Sequence, residues 1–242
     1  METRTAPAII GETKMAIEQV PMADIRDMYM AHILMRREFG LAPAVVRAVD
    51  EGDVSRADLV ADHIELISDL VHSHHAAEDA LLWPKLLDRG SEEVADIVHL
   101  MEGHHEAIDA AYQEVRREVG LWRATAGVVH RDALADALEK LNVVLVEHTA
   151  LEEQHILPLA EKYITAAEWQ ELGTHAMAGV PKKKLPLAFG MAMYEGDPEV
   201  IKEVLSFAPL MARLTMPFVG PRVYASYARR LYGTATPPRS AA

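Results

Sequence analysis

The sequence contains no cysteine. That excludes disulfides, thiolate-held zinc or iron–sulfur sites and any catalytic thiol, so redox work in this chain must use something other than sulfur. Basic charge is scarce as well. The 24 Lys and Arg stand against 37 Asp and Glu, and the formal net charge of −13 disfavours nucleic acid as a partner. No apolar run is long enough to span a bilayer, and the opening METRTAPAIIGETKMAIEQVP lacks the basic start and apolar stretch of a secretory signal. A soluble, cytoplasmic protein without a transmembrane segment is expected. Strand-and-hairpin signals are missing too. What the chain has in excess is histidine, 12 in 242 residues. Imidazole is the commonest metal ligand and the side chain that titrates near neutral pH.

Four long segments with helical periodicity fill the first two-thirds, separated by short Gly, Asp and Ser punctuation. The first runs from about Met22 to Val49, with Gly40 and Pro43 expected to kink or split it. The second starts near Ser55, whose spacing to Asp58 resembles a capping box, and ends at Gly90. The third follows Ser91 and continues to about Val119, before Gly120; the fourth spans roughly Arg131 to Tyr163. Long helices with short connections predict an all-α, up-down-up-down four-helix bundle over residues 22–164. Residues 165–242 read as a C-terminal extension. It holds a capping box at Thr165 and Glu168, an N-cap and first-turn proline at Asp197-Pro198, two short helices around Ala208-Pro209 and Gly220-Pro221, and a disordered tail from Gly233. From residue 181 onward the chain has 9 basic and 4 acidic residues, +5, against −18 before it. This basic segment is expected to pack on the bundle or on a protein partner.

An internal repeat carries the chemistry. H-H-A-A-E-D-A-L-L-W-P in the second segment and H-T-A-L-E-E-Q-H-I-L-P in the fourth align on their prolines, so His74, Glu78 and Pro84 correspond to His148, Glu152 and Pro158. A separation of four turns a helix by about 400°, which puts His and Glu on one face. The other two segments contribute His32 and the pair His104-His105. Of that pair, His105 shares its stripe with Met101, Ile108 and Tyr112 and is preferred. Four imidazoles and two carboxylates converging in a bundle form a ligand set for first-row transition metals. Buried His and Glu without partners are costly, so such a set needs a cation; two ions, each held by two His and bridged by both Glu, use it better than one, which would rarely take six rigid ligands and would leave no position open for chemistry. The candidate metal ligands are therefore His32, His74, Glu78, His105, His148 and Glu152. His63 lies about 16 Å along its helix from His74 and His155 about 10 Å from His148, too far for the same site, though His63 could line an access route. His72, His75, His99, His130 and His175 read as surface or packing residues. Tyr29 and Tyr112 are candidates to approach the metals, with core packing as the competing reading.

These residues resemble the hemerythrin-like, or HHE cation-binding, family over about residues 22–164. The resemblance implies a non-haem di-iron centre with two iron ions, bridged by oxide or hydroxide as well as by carboxylates. It implies O2, NO or peroxide as small ligand, in sensing or oxidative-stress response; the alternatives are a peroxide-consuming enzyme and an iron-holding interaction module. One departure stands out. The oxygen carriers of this family have two His four residues apart on the third helix, whereas the positions four from His105 are Met101 and Asp109. One iron is therefore expected to lack a histidine.

Overall fold

The computed structural model describes residues 20–240, so all but the last two residues of the opening segment read for a leader lie outside the described residues. Among these residues the chain is helical, with one isolated bridge between Met22 and Thr165 and no strand. Four long helices, α1 (Arg26–Arg47), α2 (Val54–Ala77), α4 (Glu92–Arg123) and α5 (Val128–Leu151), pack in a ring: α1 on α2, α2 on α4, α4 on α5 and α5 on α1. Short helices α3 (Trp83–Arg89) and α6 (Leu157–Tyr163) continue α2 and α5 after one π-helical turn each. Then come α7 (Ala166–Ala178), α8 (Leu185–Met193), α9 (Pro198–Ser206) and α10 (Leu210–Tyr232).

The helices form where sequence periodicity buries one stripe. In α1, Met28, Met35, Phe39, Ala42 and Val46 recur at helical spacing and are all buried. Burial of each large side chain contributes roughly 1.5–3 kcal/mol. The capping box at Thr165 and Glu168 is present, with the Glu168 amide donating to the Thr165 hydroxyl. Asp197 caps α9 by accepting from the Glu199 amide at 2.7 Å.

Several boundaries differ from the sequence reading. Asp53, not Ser55, caps α2 and accepts from the Arg56 amide at 3.0 Å. Pro43 does not split α1; its ring is buried in the closing turns, and Phe39, Ala42 and Val46 hold the helix to the core on either side of it. The third long helix runs through Gly120 to Arg123, because Trp122 is fully buried and anchors one more turn. The two short helices expected around Ala208 and Gly220 form one helix, α10, across Pro217 and Pro221. Its backbone lies directly on α8: a Cβ added at Gly190 would stand 2.2 Å from the Gly220 carbonyl oxygen. From Gly233 the chain was expected to be disordered by composition. Instead Tyr194 donates to the Pro237 carbonyl at 2.8 Å and the Ser240 amide to Glu195 at 2.8 Å.

The interior is divided. One apolar cluster gathers Met35, Phe39, Ile67, Val71, Ile108 and Leu145, and also takes in Met191, Tyr224, Ala228 and Leu231 of α8 and α10. A smaller one at the other end gathers Met28, Ala77, Trp83, Met101, Ile156 and Trp169. On each long helix the step from one cluster to the other passes a buried histidine: His32 between Met28 and Met35, His74 between Val71 and Ala77, His105 between Met101 and Ile108, His148 between Leu145 and Ile156. A polar layer thus crosses the body between two apolar cores.

Candidate metal centre

Both copies of the repeat make the same backbone event. The helix widens to a π turn over Glu78–Leu82 and over Glu152–Ile156, and the motif glutamate is its first residue each time. Pro84 and Pro158 follow at the start of the next helix. Proline has no N–H to donate back and its ring crowds the carbonyl four residues earlier, which a wider turn relieves; single π turns of this kind recur at functional sites.

His32, Glu78, His148 and Glu152 are completely buried, and His74, His75 and His105 nearly so. Their ligand atoms fall into two groups, His75 with Glu78, His105 and His148, and His32 with His74 and Glu152, the atoms within each group lying within 4.8 Å of one another. The two carboxylates stand between the groups. Glu78 turns Oε1 to His74 Nε2 at 3.1 Å and Oε2 to His105 Nε2 at 3.4 Å. Glu152 Oε2 lies 3.2 Å from His32 Nε2 and 3.5 Å from His148 Nε2.

These atoms are near one another without satisfying one another. The Nε2 atoms of His32, His74, His75, His105 and His148, and both oxygens of Glu78 and Glu152, are buried with no aligned hydrogen bond. Leaving one such group unpaired costs about 1–3 kcal/mol, more when charged, so the arrangement is stable only with cations among them. In protein alone the cations are protons. Burial opposes charge on His32, but the Glu152 and Glu153 carboxylates raise it to about 9; burial likewise opposes His105, and Glu78 raises it. Burial pushes His148 down to about 3 and, together with the charge of His105, His75 well below its ordinary value. Burial and the neighbouring Glu78 charge raise Glu152, whereas His74 and His105 outweigh burial and hold Glu78 low. Nitrogen and carboxylate donors of this kind suit iron, manganese or zinc, and the residues present fit such ions.

The outer ring nitrogens are held. His105 Nδ1–H donates to Asp79 Oδ1 at 2.7 Å, and Trp83 Nε1–H donates to the same oxygen at 2.8 Å. His32 Nδ1–H donates to Glu153 Oε1 at 3.0 Å, and that oxygen also accepts from Arg36 at 2.7 Å. A carboxylate only accepts, so each ring carries its proton on Nδ1 and turns Nε2 inward. Asp79 and Glu153 are equivalent positions of the repeat, each immediately after its motif glutamate.

All six residues picked from the sequence meet in this layer, and His105, rather than the half-buried His104, is the member of its pair that enters a group. The histidines do not fall into two pairs, because His75, expected at the surface or in packing, joins Glu78, His105 and His148. Its ring stacks on His105 with centroids 4.1 Å apart. The repeat hid it, since its counterpart is Thr149. A usable signal was the three-residue step from His75 to Glu78, which also keeps two helical side chains on one face. His63 lines no access route; it is buried against Glu38, Tyr227 and Tyr232. Tyr29 is exposed, whereas Tyr112 lines a cavity that reaches His75 and His105.

A family model described as the hemerythrin HHE cation binding domain matches residues 23–160. No curated protein and no solved structure matches the chain.

Proposed function

Since the chain belongs to the hemerythrin family by its HHE cation-binding domain, we propose that it is a cytoplasmic, non-haem di-iron protein. Its up-down-up-down four-helix bundle would bind O2 or a related small ligand, NO or peroxide, in sensing or oxidative-stress response. The observation that carries this reading is the pair of glutamates standing between two groups of histidines, with nitrogens and oxygens buried and unpartnered. His75, His105 and His148 with Glu78 hold one ion, His32 and His74 with Glu152 the other, and each carboxylate reaches across to the neighbouring group. When bound, two irons supply reversible redox chemistry and coordination positions for an exogenous ligand. Asp79 and Glu153 fix the rings of His105 and His32, and the apolar clusters on either side exclude water.

The group with three members has the more open position. There Thr149 takes the place in the repeat that His75 has in the other copy, and its hydroxyl is occupied by Arg36 and the Val146 carbonyl. With His75 among the buried histidines, the expected lack of one histidine no longer sets this chain apart from the oxygen carriers of the family, which supports ligand binding as the reading.

Protein produced with iron should contain close to two Fe per chain, and one or none would overturn the paired centre. Replacing Glu78 or Glu152 by Ala should remove the near-ultraviolet absorption of the bridged irons. Spectra recorded reduced, then with O2, NO and peroxide, should show stoichiometric and reversible changes; sustained oxygen evolution from peroxide would instead establish the enzyme.

A further inference from the structure

A cavity of about 540 Å³ opens between α2 and α4 and reaches the buried cluster, where His75 and His105 form part of its wall. Its outer wall is one-signed. Asp79, Glu102, Glu106 and Asp109 line it, and no lysine or arginine does so among the described residues. Glu102 accepts from His99 at 2.8 Å, Asp109 takes a long 3.4 Å contact from Gln113, and both remain on the solvent side, as does Glu106. His75 stands at the inner end of this wall: nearly inaccessible, with its Nε2 unpartnered, it offers a buried donor beyond the exposed carboxylates.

We propose that this cavity is the route by which a divalent metal ion enters the protein, with Glu102, Glu106 and Asp109 as transient ligands that hand it to His75 and His105. The inference rests on reading the cluster as a metal centre. The physical reasons are charge and distance. A cleft lined by carboxylates concentrates cations and raises their association rate 10- to 1,000-fold, an effect that salt removes. Exposed carboxylates bind a hydrated divalent ion through water or singly, which is weak enough to release it to imidazoles deeper in. The same field leaves O2, NO and undissociated peroxide unhindered and repels anions. Asp79 is excluded from the handing-on role because its Oδ1 is committed to His105 and Trp83.

The test is the rate at which metal-free full-length protein takes up Co2+, followed by stopped-flow visible absorption at low and high salt. In the triple variant Glu102→Gln, Glu106→Gln, Asp109→Asn, uptake at low salt should slow at least tenfold and lose most of its salt dependence, with the final stoichiometry unchanged. A control triple on another face, Asp50→Asn, Glu51→Gln, Glu161→Gln, should keep the native rate. The route is overturned if the first triple loads at the native rate and salt dependence, or if the control slows equally, which would make the effect one of net charge. A lower final stoichiometry in the first triple would make these carboxylates resident ligands and overturn their transient role. Failure of the native protein to bind Co2+ at all would overturn the metal-centre reading beneath it, a result distinct from normal loading by another path.

Discussion

Glu38 and Glu78 are both completely buried carboxylates of one helical body, in opposite circumstances. Glu38 accepts from Arg37 at 2.8 Å, from the Tyr224 hydroxyl at 2.9 Å and from the Tyr232 hydroxyl at 2.5 Å. Arg37 in turn donates to Glu195 and to the Met191 carbonyl. Glu78 has histidines on both sides and not one aligned hydrogen bond. Buried polar groups are normally paired, and exceptions call for an explanation. The paired cluster ties the C-terminal helices to α1 and is structural; the unpaired one is arranged around something the polypeptide does not itself supply.

The comparison breaks most visibly under Glu38→Ala. That change leaves the Arg37 guanidinium buried beside an empty place and should cost about 3–5 kcal/mol in urea unfolding, while the folded fraction still takes up metal to the native stoichiometry. Glu78→Gln should do the reverse, abolishing native metal content while costing the metal-free protein less than Glu38→Ala does, since no aligned hydrogen bond is lost and an amide of the same shape fills the place. If the two variants behaved alike, the distinction between the clusters would fail.

Protonation sharpens the contrast next. Burial holds His63 down to about 4, with Glu38 raising it and Arg37 lowering it; Tyr227 and Tyr232 complete its surroundings. The unfolded chain takes up this proton near the ordinary value of 6.5, so between about pH 6.5 and 4 the unfolded state holds more protons. The contribution of His63 is therefore complete above 6.5 and is lost as the pH falls to 4, on the order of 3 kcal/mol in all. Stability of metal-free protein measured across this range should decline more steeply than that of His63→Gln; equal slopes would show that His63 titrates normally. The smallest effect falls on the rim of the other cluster. Asp79→Asn frees the His105 ring and should weaken metal binding about 10- to 100-fold, read by competition with a chelator, with folding unaffected.

Much of this was legible in the residues. The motif in two copies marks Glu78 and Glu152, because a four-residue step on a helix has only one geometric meaning, and the apolar stripes place His32 and His105 beside them. What escaped did so for particular reasons. His75 has Thr149 as its counterpart, so a search by similarity between the copies discards the residue that makes them different. The π turns need backbone hydrogen bonds to be seen, although Pro84 and Pro158 announce that something happens there. The partners of Glu38 come from Tyr224 and Tyr232, far along the chain, and no periodicity within α1 distinguishes a glutamate that meets two phenols from one that meets water. Gly220-Pro221 reads as a break because tertiary packing of Gly220 on Gly190 is invisible to local propensity.

The polar layer between the two apolar clusters has a mechanical meaning. A continuous core resists opening everywhere, but here the helices are gripped at two ends and joined across a plane where like charges and lone pairs face one another. Cooperativity between the ends must pass through that plane. The two ions proposed for this layer would together tie all four long helices there as rivets, and their removal should let the two ends breathe separately, the end carrying Trp83 and Trp169 being the smaller.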